Sequence, residues 1–182
     1  MWPFLIFLLC GLMGATNALG EVNVHQSRFF SIHYQEPGQL ERFAQKVQPG
    51  ALTLSLNQIF TGNTKLTPEA KAGRYVDQLF QRVQATLEMV KPGLKVEIRL
   101  FQDQAALSEA FEKITGKPTR APAFYWQETN TIYLQMEQIS IGILAHEMAH
   151  AVISHFFIID PPEKVSELIC QYVDREVSKG NF

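Results

Sequence analysis

The spacing of hydrophobic residues changes along the first two thirds of the chain, and each change predicts a new element of secondary structure. Apolar and polar residues alternate in two runs, which is the pattern of a half-buried strand. In other runs, apolar residues recur every three or four positions, as they do in amphipathic helices. The alternating runs are residues 28–34 and 94–101, and the helical runs are residues 39–47, 51–60, 67–90 and 103–115.

Two of these predicted helices carry residues that mark their ends. Thr67 is a residue type that caps a helix N-terminus through its hydroxyl, and Pro68 is tolerated at the first helical position. Gly116 follows the run 103–115, and glycine ends helices because it readily adopts a left-handed conformation. We therefore expect one helix to begin at Pro68 and another to end just before Gly116.

The last third of the chain predicts a hairpin followed by two helices. Residues 123–126 and 131–136 are rich in aromatic and β-branched side chains, and four polar residues join them, as in a β-hairpin. Residues 139–157 form a long apolar run, and residues 163–178 show helical spacing after two prolines. The whole order of elements predicts an α+β fold, in which a small, twisted, largely antiparallel sheet packs on helices.

The N-terminal segment is apolar and differs from the rest of the chain. Residues 1–18 carry no charged side chain, and Thr16-Asn17-Ala18 offers small residues of the kind that signal peptidases recognise. The run is shorter than a comfortable bilayer span of about 20 residues. We therefore predict a signal peptide at 1–18, a single domain at 19–182 and a periplasmic or secreted location. An uncleaved membrane anchor is the alternative.

Composition narrows the class of protein further. A chain of 182 residues with 46% hydrophobic content can bury the core of a globular domain. The formal net charge of -2 comes with interspersed charges and no basic stripe, so nucleic acid is not an expected partner. Once residues 1–18 are removed, only Cys170 remains, which excludes an intrachain disulfide. We expect Cys170 to be a small buried hydrophobic residue.

The apolar run 139–157 contains an H-E-x-x-H motif formed by His146, Glu147 and His150. Residues four apart on a helix lie on the same side, one turn from each other, so both imidazoles are able to bind one metal ion. Glu147 lies roughly 100° around the helix from His146, where it is placed to act as a base on water rather than as a ligand. The motif therefore predicts that each chain binds one zinc ion.

Catalytic zinc usually has three protein ligands, so a third must come from elsewhere in the chain. Three downstream candidates exist: His155, Asp160 and Glu167. A metzincin would place its third histidine where this chain has Phe156, which argues against that family. Asp160 is expected to cap the last helix, whereas Glu167 lies on the polar side of that helix. The short connection predicts that the last two helices are antiparallel neighbours, which would bring Glu167 towards the histidines.

The chain resembles the gluzincin zinc metallopeptidases, and among them the small peptidase MA-like or minigluzincin group. The resemblance rests on the H-E-x-x-H motif, on Ser166-Glu167 and Gln171-Tyr172-Val173 in the following helix, and on the preceding strand 131–136. It implies a zincin-like fold in which Glu167 is the third zinc ligand. It also implies that the strand before the zinc helix is an edge strand along which extended peptide substrates lie.

The predicted activity is hydrolysis of peptide bonds outside the cytoplasm. Zinc would polarise the scissile carbonyl and activate water, and Glu147 would transfer the proton to the leaving amine. Tyr125, Tyr133 and Tyr172 are candidate donors to the oxyanion, although their spacing is equally typical of core residues. The alternative functions are a catalytically idle or latent zinc-binding module, and a protein that binds peptides at its hairpin edge without metal.

Overall fold

The structure is a computed structural model, and it describes residues 22–48 and 66–179. Within these ranges the chain forms five strands, five α-helices and a 3-10 turn at Gln127–Thr129. The strands are β1 (Asn23–Gln26), β2 (Phe30–Tyr34), β3 (Val96–Phe101), β4 (Ala123–Trp126) and β5 (Thr131–Gln135). The helices are α1 (Pro37–Lys46), α2 (Pro68–Leu87), α3 (Gln104–Thr115), α4 (Ile141–Phe156) and α5 (Glu163–Ser178). The predicted signal peptide at 1–18 and the predicted helix at 51–60 lie outside the described residues.

The elements predicted within the described ranges are confirmed, with small shifts at their ends. The Thr67 hydroxyl accepts a hydrogen bond from Ala70 N at 3.3 Å, which caps α2 as expected. Gly116 adopts a left-handed conformation with φ 75° and ends α3. α2 ends earlier than predicted because Glu88 is also left-handed, with φ 55°.

The sheet is mixed, so the prediction of a largely antiparallel sheet was wrong. Its strand order is β1-β2-β3-β5-β4. The two outer pairs are antiparallel, whereas β2 pairs parallel to β3 and β3 pairs parallel to β5. The parallel pairs arise because helices lie between the paired strands in the chain, and a helical crossover returns the next strand in the same direction. The prediction of an α+β fold is confirmed.

One face of the sheet carries the main hydrophobic core. The alternation predicted for β2 and β3 is confirmed, since Phe30, Ile32 and Ile98 are fully buried on this face. Helices α1, α2, α4 and α5 contribute side chains to the same core. On the other face, α3 packs through Phe111, whose ring contacts Phe124 with centroids 4.8 Å apart. No helix among the described residues is both long and apolar enough for a membrane crossing.

The turn between β1 and β2 is fixed by one carboxylate from α2. Asp77 Oδ1 accepts hydrogen bonds from Ser27 Oγ at 2.9 Å and from Phe29 N at 3.0 Å. Asp77 Oδ2 accepts a third bond, from Arg28 N at 3.0 Å. We expect Asp77→Ala to lower the free energy of unfolding by about 1–3 kcal/mol, because the turn loses acceptors for two backbone N–H groups. Urea denaturation followed by circular dichroism measures the change.

The control for this prediction is Glu112→Ala, which removes an exposed carboxylate from α3. We expect that variant to unfold within about 0.5 kcal/mol of the wild type, as is usual for surface positions. Equal stability of the two variants would show that Asp77 does not hold the turn.

Candidate metal centre

The motif residues lie on α4, which begins with a complete N-terminal cap. The Ser140 hydroxyl accepts a hydrogen bond from Ile143 N at 3.2 Å. From that start, the helical repeat directs His146 and His150 to the same side, and both side chains are partly buried, at 21% and 23% exposure. The side of α4 that carries the motif therefore faces a cleft that solvent reaches.

Helix α5 runs antiparallel to α4 and brings an acidic side chain to the two histidines. Gly142, near the start of α4, lies against the last turns of α5. A Cβ at this position would be 2.1 Å from Asp174 Oδ1 and 2.3 Å from Ser178 Oγ. The absence of a side chain at Gly142 therefore allows the two helices to approach closely. At the other end of the pair, Glu167 reaches His150.

Three potential ligand side chains converge between the helices. His146 Nε2 and His150 Nε2 lie 3.3 Å apart. The Glu167 carboxylate places one oxygen 3.1 Å from His150 Nε2 and the other 3.6 Å from His146 Nε2. Ligands bound to zinc at 2.0–2.2 Å in a tetrahedron are separated from one another by roughly 3.3–3.6 Å. The spacing of these three side chains therefore fits a zinc ion held between them.

The electrostatics of the pair favour metal binding. Burial and the neighbouring His146 lower the pKa of His150 below its usual value, and the Glu167 carboxylate opposes that shift. A lowered pKa keeps the His150 imidazole neutral, which is the form that binds a metal ion.

Glu147 lies beside the cluster but differs from it in burial. Glu147 is only 8% exposed, although it still lines the cleft. Burial raises the pKa of Glu147 to about 8; a hydrogen bond from the Tyr125 backbone lowers it, and the Glu167 carboxylate raises it. A carboxyl group whose pKa is near neutrality is suited to exchanging protons rather than to a fixed ion pair.

The other two candidate ligands lie away from the cluster. His155 Nδ1 donates a hydrogen bond to the Ala151 carbonyl at 2.9 Å, so its ring folds back along its own helix. Asp160 accepts a hydrogen bond from Gln127 Nε2 at 3.1 Å. The expectation that Asp160 caps α5 was wrong, because the N-cap position is occupied by Pro162 and has no side-chain hydrogen bond.

Cys170 is a potential ligand that the sequence did not indicate. It is fully buried, as expected for a small hydrophobic residue. However, Cys170, His146 and His150 each offer a potential ligand atom, and these three atoms lie within 4.8 Å of one another. Burial raises the pKa of the Cys170 thiol well above its usual range, with further contributions from Glu167 and Glu147. Cys170 follows Glu167 by three positions, and this one-turn spacing on a helix is the signal that predicts their proximity.

Strand β4, rather than β5, is the edge strand beside the cluster. The strand before α4 was expected to be the edge, but β5 is buried and pairs with β3 on one side and β4 on the other. The hairpin turns β4 to the outside of the sheet, and that arrangement was not visible in the spacing of the residues. β4 lines a cleft of ≈ 850 Å³ together with the motif residues and Glu167.

The three tyrosines considered as oxyanion donors have different surroundings. The Tyr125 hydroxyl lies 3.0 Å from Asn130 Oδ1 and 3.1 Å from Ser154 Oγ, with which it forms hydrogen bonds. Tyr133 is stacked on Phe124 with centroids 4.5 Å apart, outside the cleft. Tyr172 is 49% exposed and does not line the cleft. Of the three, only Tyr125 borders the cleft, and its hydroxyl already has partners.

Comparisons of the chain with protein-family models, with curated proteins and with solved structures found no match. The resemblance to gluzincins therefore depends on the H-E-x-x-H motif and on the following glutamate.

Proposed function

We propose that the chain is a zinc-dependent peptidase of the gluzincin type, with a zincin-like fold, that acts outside the cytoplasm. The observation that carries the proposal is the convergence of His146 Nε2, His150 Nε2 and the Glu167 carboxylate at distances of 3.1–3.6 Å. Two imidazoles and one carboxylate are a donor set typical of catalytic zinc sites, which keep a fourth position open. The same cleft contains a buried carboxyl group that is not needed as a ligand, Glu147.

Glu147 is the proposed general base. A zinc ion held by His146, His150 and Glu167 would supply Lewis-acid chemistry, which polarises a carbonyl and makes water a stronger acid. In its ionised form, Glu147 would take one proton from the attacking water and return it to the nitrogen of the leaving amine as the peptide bond breaks. The hydrogen bond from the Tyr125 backbone restrains the carboxyl group within the cleft.

The proposed substrate is an extended, unfolded polypeptide. Among the described strands, β4 pairs only with β5, and its residues line the cleft that contains the motif. An exposed strand edge offers backbone N–H and C=O groups with which an extended peptide pairs as an added strand. Such pairing would hold a scissile bond across the cleft without requiring a particular side chain.

The proposal predicts metal-dependent cleavage of unfolded protein. We expect the zinc-loaded chain to cleave reduced, carboxymethylated casein, and a chelator to stop the reaction. Zinc added after the chelator is removed should restore the same cleavage sites, as identified by mass spectrometry of the products. Cleavage that continues at full rate in the chelator would exclude a metallopeptidase.

A catalytically idle zinc-binding module is the second candidate function. The surroundings of the tyrosines favour this alternative. Among the three tyrosines considered, only Tyr125 borders the cleft, and its hydroxyl already forms hydrogen bonds, so none offers a free hydroxyl to stabilise the oxyanion. Under this alternative, zinc binds with the same ligands, but unfolded proteins and peptide libraries are not cleaved. The cleavage experiment therefore separates the two functions.

A further inference from the structure

The two histidines of the cluster are shared by two different sets of donor atoms. One set is completed by the oxygens of Glu167, at 3.1 and 3.6 Å from the histidine nitrogens. The other is completed by Cys170, whose sulfur lies within 4.8 Å of a nitrogen from each ring. Both residues are on α5, one turn apart, so the helix presents a hard and a soft donor to the same pair of imidazoles.

We propose that His146, His150 and Cys170 form a second metal-binding state of the site, which takes a soft, thiophilic cation such as Cd²⁺ in place of zinc. The proposal relies on the zinc centre proposed above for its two histidines. In this state the sulfur of Cys170 takes the coordination position that the Glu167 carboxylate holds in the proposed zinc state.

The distances allow the sulfur to bind with a small movement. Tetrahedral bonds of about 2.1 Å to nitrogen and 2.3 Å to sulfur separate the two donor atoms by roughly 3.6 Å. The separation here is at most 4.8 Å, so the gap to be closed is at most about 1.2 Å. Cadmium ions are larger than zinc ions, and the longer bonds reduce that gap further.

The chemistry of the two donors decides which ion uses which set. Carboxylate oxygens suit harder cations, whereas a thiolate selects softer ones. Cys170 is fully buried and is a free cysteine within the part of the chain that the structure describes, so its sulfur is available to bind a metal ion. When the metal–sulfur bond forms, the thiol hydrogen leaves as a proton to solvent, and the thiolate donates the electron pair of the bond. No oxidant or reductant takes part.

The test is a titration of the full chain with Cd²⁺, followed in the near ultraviolet, where thiolate-to-cadmium charge transfer absorbs. We expect the band to grow with added Cd²⁺ in the wild type and to be absent from Cys170→Ala. We also expect the dissociation constant for Cd²⁺ to rise by more than about tenfold in that variant, because even residues outside the ligand set contribute 10–100-fold to metal affinity. Zinc affinity should change much less.

Two controls keep the outcome interpretable. Val173→Ala removes a buried side chain from the same helix without removing a thiol, and it should keep the charge-transfer band. Cys170→Ser nearly keeps the size of the side chain. If Cys170→Ala fails to fold, Cys170→Ser replaces it in the comparison of the charge-transfer band and the Cd²⁺ affinity. X-ray absorption of the wild type gives a second readout, with sulfur in the cadmium shell and only nitrogen and oxygen in the zinc shell.

The possible failures are distinguishable. A zinc shell of nitrogen and oxygen together with a cadmium shell that lacks sulfur would overturn this inference and leave the proposed peptidase intact. If neither ion binds through the two histidines, the inference and the proposed function fall together. A sulfur signal with cadmium, combined with no cleavage of unfolded protein by the zinc form, would support the inference and contradict the peptidase.

Discussion

Replacing Glu167 with alanine is expected to weaken zinc binding more than any other substitution on α5. The carboxylate reaches both histidine nitrogens, at 3.1 and 3.6 Å, and supplies the negative charge of the donor set. Loss of a residue outside a ligand set already costs 10–100-fold in metal affinity, so loss of a ligand should cost more than about 100-fold. Competition with a chromophoric chelator measures the dissociation constant.

The matched control is Glu163→Ala, one turn earlier on the same helix. Glu163 also lines the cleft, but it forms no ion pair with either histidine. It should keep the zinc affinity of the wild type. Glu167→Ala is also made in a Cys170→Ala background, so that the thiolate cannot replace the missing carboxylate. Unchanged zinc affinity in that double variant would remove Glu167 from the ligand set.

Replacing Glu147 with glutamine is expected to abolish most of the hydrolysis while leaving the zinc in place. Glutamine has nearly the same shape as glutamate, but its amide cannot take a proton from water. General acid–base catalysis by a positioned group contributes about 10²–10⁴-fold, so we expect kcat to fall by that factor. Zinc content should remain one ion per chain, because Glu147 is not one of the three converging ligands. Steady-state cleavage of a quenched fluorescent peptide gives kcat and KM separately.

Two comparisons make this result specific. Glu112→Gln makes the same replacement of a carboxyl by an amide on the exposed side of α3, and it should leave kcat at the wild-type value. The thermal midpoint of Glu147→Gln should not fall, because the substitution removes a carboxyl group that is costly to bury. A variant that retains both its zinc and its full kcat would show that another group transfers the proton.

The elements of the fold were predictable wherever a local pattern encodes them. α2 begins after the cap residue Thr67, α3 ends at Gly116, and both have apolar residues at helical spacing. The existence of these two helices and the approximate positions of those ends therefore followed from the sequence. β1 was missed because three of its four residues are exposed and give no alternation. Its pairing with β2 is a long-range contact, which residue spacing does not encode.

The direction of the strands was the main error in the fold. Strands 123–126 and 131–136 are joined by four residues, and a short connection requires them to be antiparallel. The order and direction of the other strands depend on how the helices pack on the sheet, and local sequence patterns do not specify this packing. For the same reason, β4 rather than β5 became the edge strand beside the cleft.

The candidate site divides in the same way. His146, Glu147 and His150 are related by helical spacing alone, so their common position on α4 was predictable. Glu167 required a second assumption, that α4 and α5 are antiparallel neighbours, and the structure places its carboxylate against both histidines. For Cys170 the sequence predicts only a small buried hydrophobic residue, because composition does not specify which side of α5 faces the imidazoles. The predicted signal peptide at 1–18 stays a prediction.

The most direct test of the zinc peptidase is a titration of the metal-free chain with zinc, in which bound zinc and peptide cleavage are measured on the same samples. If the chain is a zinc peptidase, the cleavage rate will rise in proportion to bound zinc and level off at one ion per chain. Saturation at one zinc per chain, without cleavage of an unstructured peptide library at any point of the titration, would contradict the proposed function.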